Sequence, residues 1–308
     1  MFRLKRSLAV AMVCALMAGA AEAQTEKETA KTAGKAAAAS GPKVRSEMLV
    51  STDWLAQHLR EEGIVILHVG GDKADYDAGH IPGARQLLLK DFIKNDPAGP
   101  PNELYSPEEL KKAFEAVGVT DKTRVILYAN DYQPAAARAY FTLDYLGQAD
   151  HAALLDGGIE KWQTENRALS RETPAPKQGE LTLRANPDVV ITRDEVEKLG
   201  DDARLVDARP LYRYRAGHIP GAASFFWEKN LVSEESPSLL PADQLSKKLA
   251  AAGITSDKKL FVYCETGMQS SFAYFVAKYL GYVPVNYDGS MSDWKAQKKP
   301  MVKGDAKR

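Results

Sequence analysis

The six-residue phrase Gly-His-Ile-Pro-Gly-Ala begins at Gly79 and again at Gly217. Each copy is followed by an apolar run ending in Tyr, a short polar loop and a helical pattern. Repetition on this scale restricts the chain to one supersecondary plan built twice, so every local reading has to hold in both places. The copies differ at one position that bears on chemistry. The residue after the Tyr is Ala129 in the first and Cys264 in the second.

Read in parallel, the copies spell out an α/β domain. Ser51-Thr52-Asp53 and Thr192-Arg193-Asp194-Glu195 open helices, the second with capping-box spacing from Thr192 to Glu195. The apolar runs Ile64 to Val69 and Arg204 to Val206 are buried strands. After the repeated turn, Ser106-Pro107-Glu108-Glu109 caps a helix with Pro at its first position, and Pro241 to Leu249 is its counterpart. Gly118 and Gly253 close those helices. Val125 to Tyr128 and Leu260 to Tyr263 are central strands, followed by helices over Ala135 to Leu146 and Ser270 to Leu280. Asp156-Gly157-Gly158 with Trp162, and Asp288-Gly289 with Trp294, end the copies. Strands alternating with helices at this spacing predict a largely parallel sheet flanked by helices, made twice. Prolines and glycine between Arg171 and Pro187 mark the joint. The expected domains are 44–170 and 187–308, with a linker at 171–186.

Arg3, Lys5 and Arg6 precede an apolar stretch from Leu8 to about Ala18 and then Ala21-Glu22-Ala23, the pattern of a secretory signal peptide over 1–23. The stretch is too short to span a membrane. Cys14 lacks the surroundings of a lipid acceptor, so no anchor is expected after cleavage, and residues 24–43 follow as a flexible linker. The expected location is the periplasm. The 41 basic and 41 acidic residues balance, and nothing in that charge points to nucleic acid or an anionic membrane.

After cleavage Cys264 would be the sole thiol, in a compartment where cysteines normally pair. A lone cysteine is most often a small buried hydrophobe, but its setting argues otherwise. Cys264-Glu265-Thr266-Gly267-Met268-Gln269-Ser270 turns the end of a strand into a helix at the carboxyl edge of a sheet, where such folds bind ligands. Backbone N–H groups and the helix dipole stabilise an anion there. A cysteine so placed is a nucleophile, and Gly267 lets the loop curl. The loop alone is compatible with phosphoryl or sulfur transfer. A cysteine phosphatase needs an Arg where Ser270 and Ser271 stand, and thioredoxin-type chemistry needs a second Cys. A small anion-stabilising cradle suits a persulfide.

In combination, the two Gly-His-Ile-Pro-Gly-Ala turns, Asp207-Ala208-Arg209, the Cys264 loop and the Asp-Gly…Trp endings resemble the tandem-domain rhodaneses, the thiosulfate and 3-mercaptopyruvate sulfurtransferases. The resemblance runs from about Val44 to Met301. It implies an inactive first domain packed on a catalytic second one, with the site in the cleft between them. Ala129 replaces the nucleophile in copy one, Val69 and Gly71 stand where copy two has Asp207 and Arg209, and Asn130, Asp131 and Tyr132 are candidates to line the cleft. The reaction implied is double displacement, in which Cys264 takes sulfur from a small-molecule donor and yields it to cyanide, a thiol or a sulfur-acceptor protein. Arg213 matches a substrate-binding arginine, with Glu265, Thr266, Gly267, Met268, Gln269 and Ser270 forming the rest of the pocket. Asp207 and Arg209 are expected as a structural pair, and His218, like His80, as a satisfied turn histidine. The histidines show no metal-ligand spacing, so no cofactor is expected.

The chain departs from the family immediately after the cysteine. Thiosulfate-specific members place basic residues there, and mercaptopyruvate-specific members a Gly-Ser-Gly-Val-Thr pattern. Here Glu265 and Thr266 follow, and an inward Glu265 would disfavour a dianionic donor. Export favours thiosulfate over the cytoplasmic mercaptopyruvate. The alternative is a noncatalytic persulfide carrier or protein-binding module, with the first domain as docking surface.

Overall fold

The computed structural model describes residues 43–305 apart from 98, 176 and 234. The signal peptide with Cys14, the 24–43 linker up to its last residue, and Pro176 lie outside the described residues. Seven strands belong to the first half: β1 (Leu49–Val50), β2 (Ile64–Gly70), β3 (Arg85–Leu88), β4 (Ile93–Lys94), β5 (Glu103–Leu104), β6 (Arg124–Tyr128) and β7 (Ala152–Leu155). Five form a parallel sheet in the order β1-β7-β6-β2-β3, while β4 and β5 pair antiparallel outside it. In the second half β8 (Ala203–Asp207), β9 (Ala223–Ser224), β10 (Lys259–Tyr263) and β11 (Pro284–Asn286) make a parallel sheet in the order β11-β10-β8-β9. Val190 bridges Asn286 where β1 stands in the first sheet.

The central strands β6 and β10 are buried on both faces, as parallel strands covered by helices require. Helices α1 (Pro107–Ala116) and α2 (Pro134–Tyr145) precede and follow β6 in the chain, and α3 (Ala242–Ala251) and α4 (Met268–Tyr279) precede and follow β10. The two longest, α2 and α4, meet along the middle of the molecule. Phe141 packs edge-on to Tyr274 at 5.1 Å and Tyr140 to Phe275 at 5.0 Å. One apolar core therefore runs from Leu127 of the first sheet through both helices to Val262 of the second. The opposite face of each sheet closes over a smaller cluster, with Trp162 in one and Trp294 in the other.

The repeated turn is built the same way twice. His80 and His218 stack on Tyr76 and Tyr214, each at 3.8 Å, with Nδ1 against that tyrosine's carbonyl. The Tyr128 and Tyr263 hydroxyls accept from the N–H groups of Ile81 and Ile219, each at 3.1 Å, tying the turns to the central strands. Capping boxes at Ser106 and Thr192 form as their spacing predicts.

Two expectations need correction. In the sheet register Tyr263 faces Asp207, and its equivalent Tyr128 faces His68, not Val69. The position of Arg209 then falls on Gly70, not Gly71. Copy one carries one residue more between strand and turn, so counting back from the turn slips by one. Helix α4 begins at Met268 rather than Ser270, because Gly267 (φ +82) serves as its N-cap and shortens the loop.

The segment between the halves is pinned down. Leu181 is buried; its N–H donates to Glu115 Oε1 at 2.8 Å, Gly179 N–H to the Glu115 carbonyl, and Asn186 N–H to the Tyr145 carbonyl. The halves also exchange reciprocal contacts. Leu104 N–H donates to Asp288 at 3.2 Å, and Leu239 N–H to Asp156 at 2.9 Å.

Candidate active site

Strand β10 ends at Tyr263 and α4 starts at Met268, so Cys264 to Gly267 make the turn between them. Gly267 is required twice over. Its φ is +82, and a Cβ there would lie 2.5 Å from Asp288 Oδ1. Ser290, itself left-handed at φ +51, reaches in from the next loop. Its Oγ accepts from Cys264 N–H at 3.1 Å and Gly267 N–H at 3.2 Å, and donates to the Tyr287 carbonyl at 2.8 Å. Among the described residues no acceptor takes the N–H groups of Thr266, Met268, Gln269 or Ser270. Those donors lie on the turn that begins with the thiol and on the first turn of a 12-residue helix, whose dipole is positive at that end. Cys264 is the free cysteine among the described residues and is 1% exposed.

The predicted residues divide by what they touch. The Ser270 hydroxyl, like that of Ser271, bonds back to the Gly267 carbonyl, leaving its N–H for a ligand. Thr266 Oγ1 accepts from Asn102 Nδ2 of the first half at 2.8 Å. Met268 is buried; Gln269 bonds the phenol of Tyr132. Burial first, and next the interaction with Cys264, raise that phenol's pKa. Tyr132 also packs edge-on against Trp227 at 5.7 Å.

Arg209 and Asp207 form a buried bidentate pair, and Arg209 also donates to the Gly217 carbonyl at 2.8 Å and to Glu265 at 3.0 Å. Burial opposes the charge of Arg209, but the hydrogen bonds and charge of Asp207 outweigh it and raise its pKa. Glu265 points sideways into cations. Lys295 donates to it at 2.6 Å and Arg213 stands at 3.9 Å. Burial alone would push the Glu265 carboxyl up, but Lys295 and Arg209 hold it below its ordinary value. Arg213 is half exposed at the rim beside the exposed Tyr212. His218 is buried in the turn and does not join the loop.

Sequence reading missed three residues. Ser290 shows itself only as a departure from Gly158 in the otherwise matching endings. Asp288 reads in the sequence as part of an ending, not as a group facing the loop. Arg138 is the one charged side chain in the run Pro134 to Leu143, and it is fully buried.

The first half has the same loop in a closed form. Ala129 replaces the thiol, Gly158 (φ +58) replaces Ser290, and Glu160 turns its own carboxylate onto Asp131 N–H and Gln133. Burial pushes the Glu160 carboxyl up. His68 Nε2 contacts Asn130 at 2.9 Å where the second half has its Asp-Arg-Glu network, and burial lowers the His68 pKa.

A doubled parallel-sheet fold with a cysteine cradled at the start of a helix defines a class of thiol-bearing group-transfer domains. The chain belongs to the rhodanese family: the profile of the rhodanese-like domain matches residues 51–165 and 192–297. It is 36% identical over 286 residues to the sulfur carrier protein TtuD of Thermus thermophilus, covering 84% of this chain and 98% of that one. It is 34% identical over 233 residues to the thiosulfate sulfurtransferase of Azotobacter vinelandii, covering 72% and 84%. Among solved structures, a variant of EanB in complex with ergothioneine superposes with a TM-score of 0.74 at 25% identity, over 84% of this chain and 70% of that one.

Proposed function

We propose that the chain is a sulfurtransferase that moves sulfane sulfur through a persulfide on Cys264, with thiosulfate as donor. The Cys264 thiolate attacks the outer sulfur of thiosulfate. The sulfur–sulfur bond of the donor breaks, sulfite leaves with the bonding pair, and Cys264 retains the sulfur as a persulfide anion. An acceptor thiolate or cyanide then attacks that outer sulfur and restores the thiolate.

The observation that carries this reading is that the thiol opens a turn whose N–H groups lack backbone acceptors and which leads into a helix N-terminus, with Ser290 bonding the Cys264 and Gly267 N–H groups. A terminal sulfur anion would be held there by preorganised dipoles. Arg213 at the rim supplies a cation for the sulfite end of the donor. The first half is inactive on this reading, since it has no thiol and its cradle is filled by Glu160. Because Cys264 is 1% exposed, the side chains around the loop must give way for a donor to enter. The sulfur carrier name of one relative favours a second reading, in which sulfur comes from or goes to a protein partner.

The test is anaerobic incubation of the protein with thiosulfate, followed by intact-mass analysis and cyanide-dependent turnover. Expected are a gain of one sulfur on Cys264, thiocyanate formation with ping-pong kinetics, and loss of both in Cys264→Ser. Turnover that survives in that variant sinks the assignment, and sulfur gain without turnover selects the carrier. The same mass, taken on exported protein, checks the proposed periplasmic processing, which predicts a chain beginning at Gln24.

A further inference from the structure

We propose that Arg138, on a helix of the half that lacks a nucleophile, is a positioning residue for the Cys264 loop; the inference rests on the sulfur-transfer reading above. Arg138 is 0% exposed. It grips Asp288 through both Nη atoms, the Nη2 bond at 3.0 Å, and Nη2 also donates to the Asn102 carbonyl at 2.6 Å. Asp288 in turn packs on the loop, since a Cβ on Gly267 would strike its Oδ1 at 2.5 Å and its carbonyl at 2.9 Å, and would lie 3.2 Å from Arg138 Nη1. Two residues beyond Asp288, Ser290 anchors Cys264 N–H and Gly267 N–H. A guanidinium from one half thus holds the carboxylate against which the other half's thiol loop is shaped.

The pseudo-symmetry of the molecule separates this role from simple fastening. Asp156 occupies in the first half the place of Asp288 in the second, and each accepts an N–H from the opposite half, Leu239 and Leu104 respectively. Counting back from Gly147 and Gly281, the place of Arg138 is taken in α4 by Phe272. Among the described residues the cation paired with Asp156 is Lys161 of its own half, at 3.6 Å. If the arginine merely joined the halves, either crossing would serve. It occurs at the crossing that lies under the thiol loop. Arginine suits the position, because its planar fork fixes a carboxylate in both distance and orientation.

Arg138→Met, Arg138→Lys and, as a comparison, Lys278→Met should be made in the full chain. Lys278→Met cuts the cross-half ion pair with Asp144 away from the loop. Sulfur loading from thiosulfate is followed by mass, its rate separated into kcat and KM, alongside iodoacetamide alkylation of Cys264 and thermal melting. Because Arg138 touches the loop and not the donor, Arg138→Met should lower kcat about tenfold, with KM within about twofold. It should also slow alkylation by a similar factor, and Arg138→Lys should restore part of both. Lys278→Met should leave loading unchanged. If Arg138→Met fails to fold, Arg138→Gln combined with Asp288→Asn removes both charges and carries the same expectations. Wild-type loading and alkylation in the Arg138 variants overturn the proposal, as does an equal loss in Lys278→Met. If the wild-type chain takes no sulfur from thiosulfate, the proposed function falls, and alkylation still decides the role of Arg138.

Discussion

Ser290 keeps a left-handed backbone that costs an L residue about 1 kcal/mol, and its hydroxyl accepts two loop N–H groups in return. The first half shows what happens without that hydroxyl: Gly158 holds the same backbone sign, and the loop there ends up under Glu160. Ser290→Gly should therefore relax the strain while releasing Cys264 N–H and Gly267 N–H. The two effects offset to within about 1 kcal/mol, a shift of about 2–4 °C in melting temperature, while the sulfur-loading rate falls about tenfold, about 1.4 kcal/mol, as the loss of two modest hydrogen bonds would give. A melt combined with a loading time course checks this, and unchanged loading would remove Ser290 from the machinery. Cys264 was legible in the sequence because Ala129 stands opposite it in the repeat. Ser290 and Arg138 were not, because their meaning lies in what the fold brings against the loop, and local spacing carries no trace of that.

The Cys264 loop, taken as an element, is charge-balanced from the side rather than from within. Glu265 follows the nucleophile, where a carboxylate would repel a dianionic donor, but Arg209, Lys295 and Arg213 draw it outward. Glu265→Gln frees those cations to face the donor. KM for thiosulfate should then fall by about threefold, consistent with the modest worth of partly exposed pairs, and steady-state kinetics at low ionic strength measures it. A KM that rises instead would mean that Glu265 orders the rim rather than shielding it. The carboxyl is held below its ordinary value of 4.5, so the folded state binds its proton more weakly than the unfolded chain does. Its stabilising contribution is present above that value and is lost as pH falls through the lower folded one; the Gln variant should lack that part of the acid slope. At this scale the sequence showed strands, caps and closing glycines well, since each is written in a few adjacent residues. It misplaced the start of α4, because Gly267 as N-cap looks the same in sequence as glycine within a longer loop. It also paired Asp207 with Val69, because one added residue before the first turn is invisible until Tyr128 and His68 are seen side by side.

Across the whole molecule the two copies share one interior rather than touching at their rims. The pattern of two α/β units was plain from the repeat, but their joining was not, because the apolar faces of α2 and α4 read equally well as parts of separate cores. In the structure those helices lock through Tyr140, Phe141, Tyr274 and Phe275, with Asp144 of α2 receiving Tyr274 Oη at 2.6 Å and Lys278 of α4. Phe275 is fully buried at the centre of this contact. Truncating it to Ala removes a ring that both halves pack against, and a buried Phe→Ala change costs about 3–5 kcal/mol. At about 2–4 °C per kcal/mol for a chain of this size, the melting temperature should drop by roughly 10 °C. Since the core is continuous, wild type and variant should each unfold in one calorimetric transition, with both sheets lost together. Two transitions, of which only one moves on substitution, would show that the halves fold as separate bodies. The cross-half support of the Cys264 loop would then rest on polar contacts such as those of Arg138, Asn102 and Leu104.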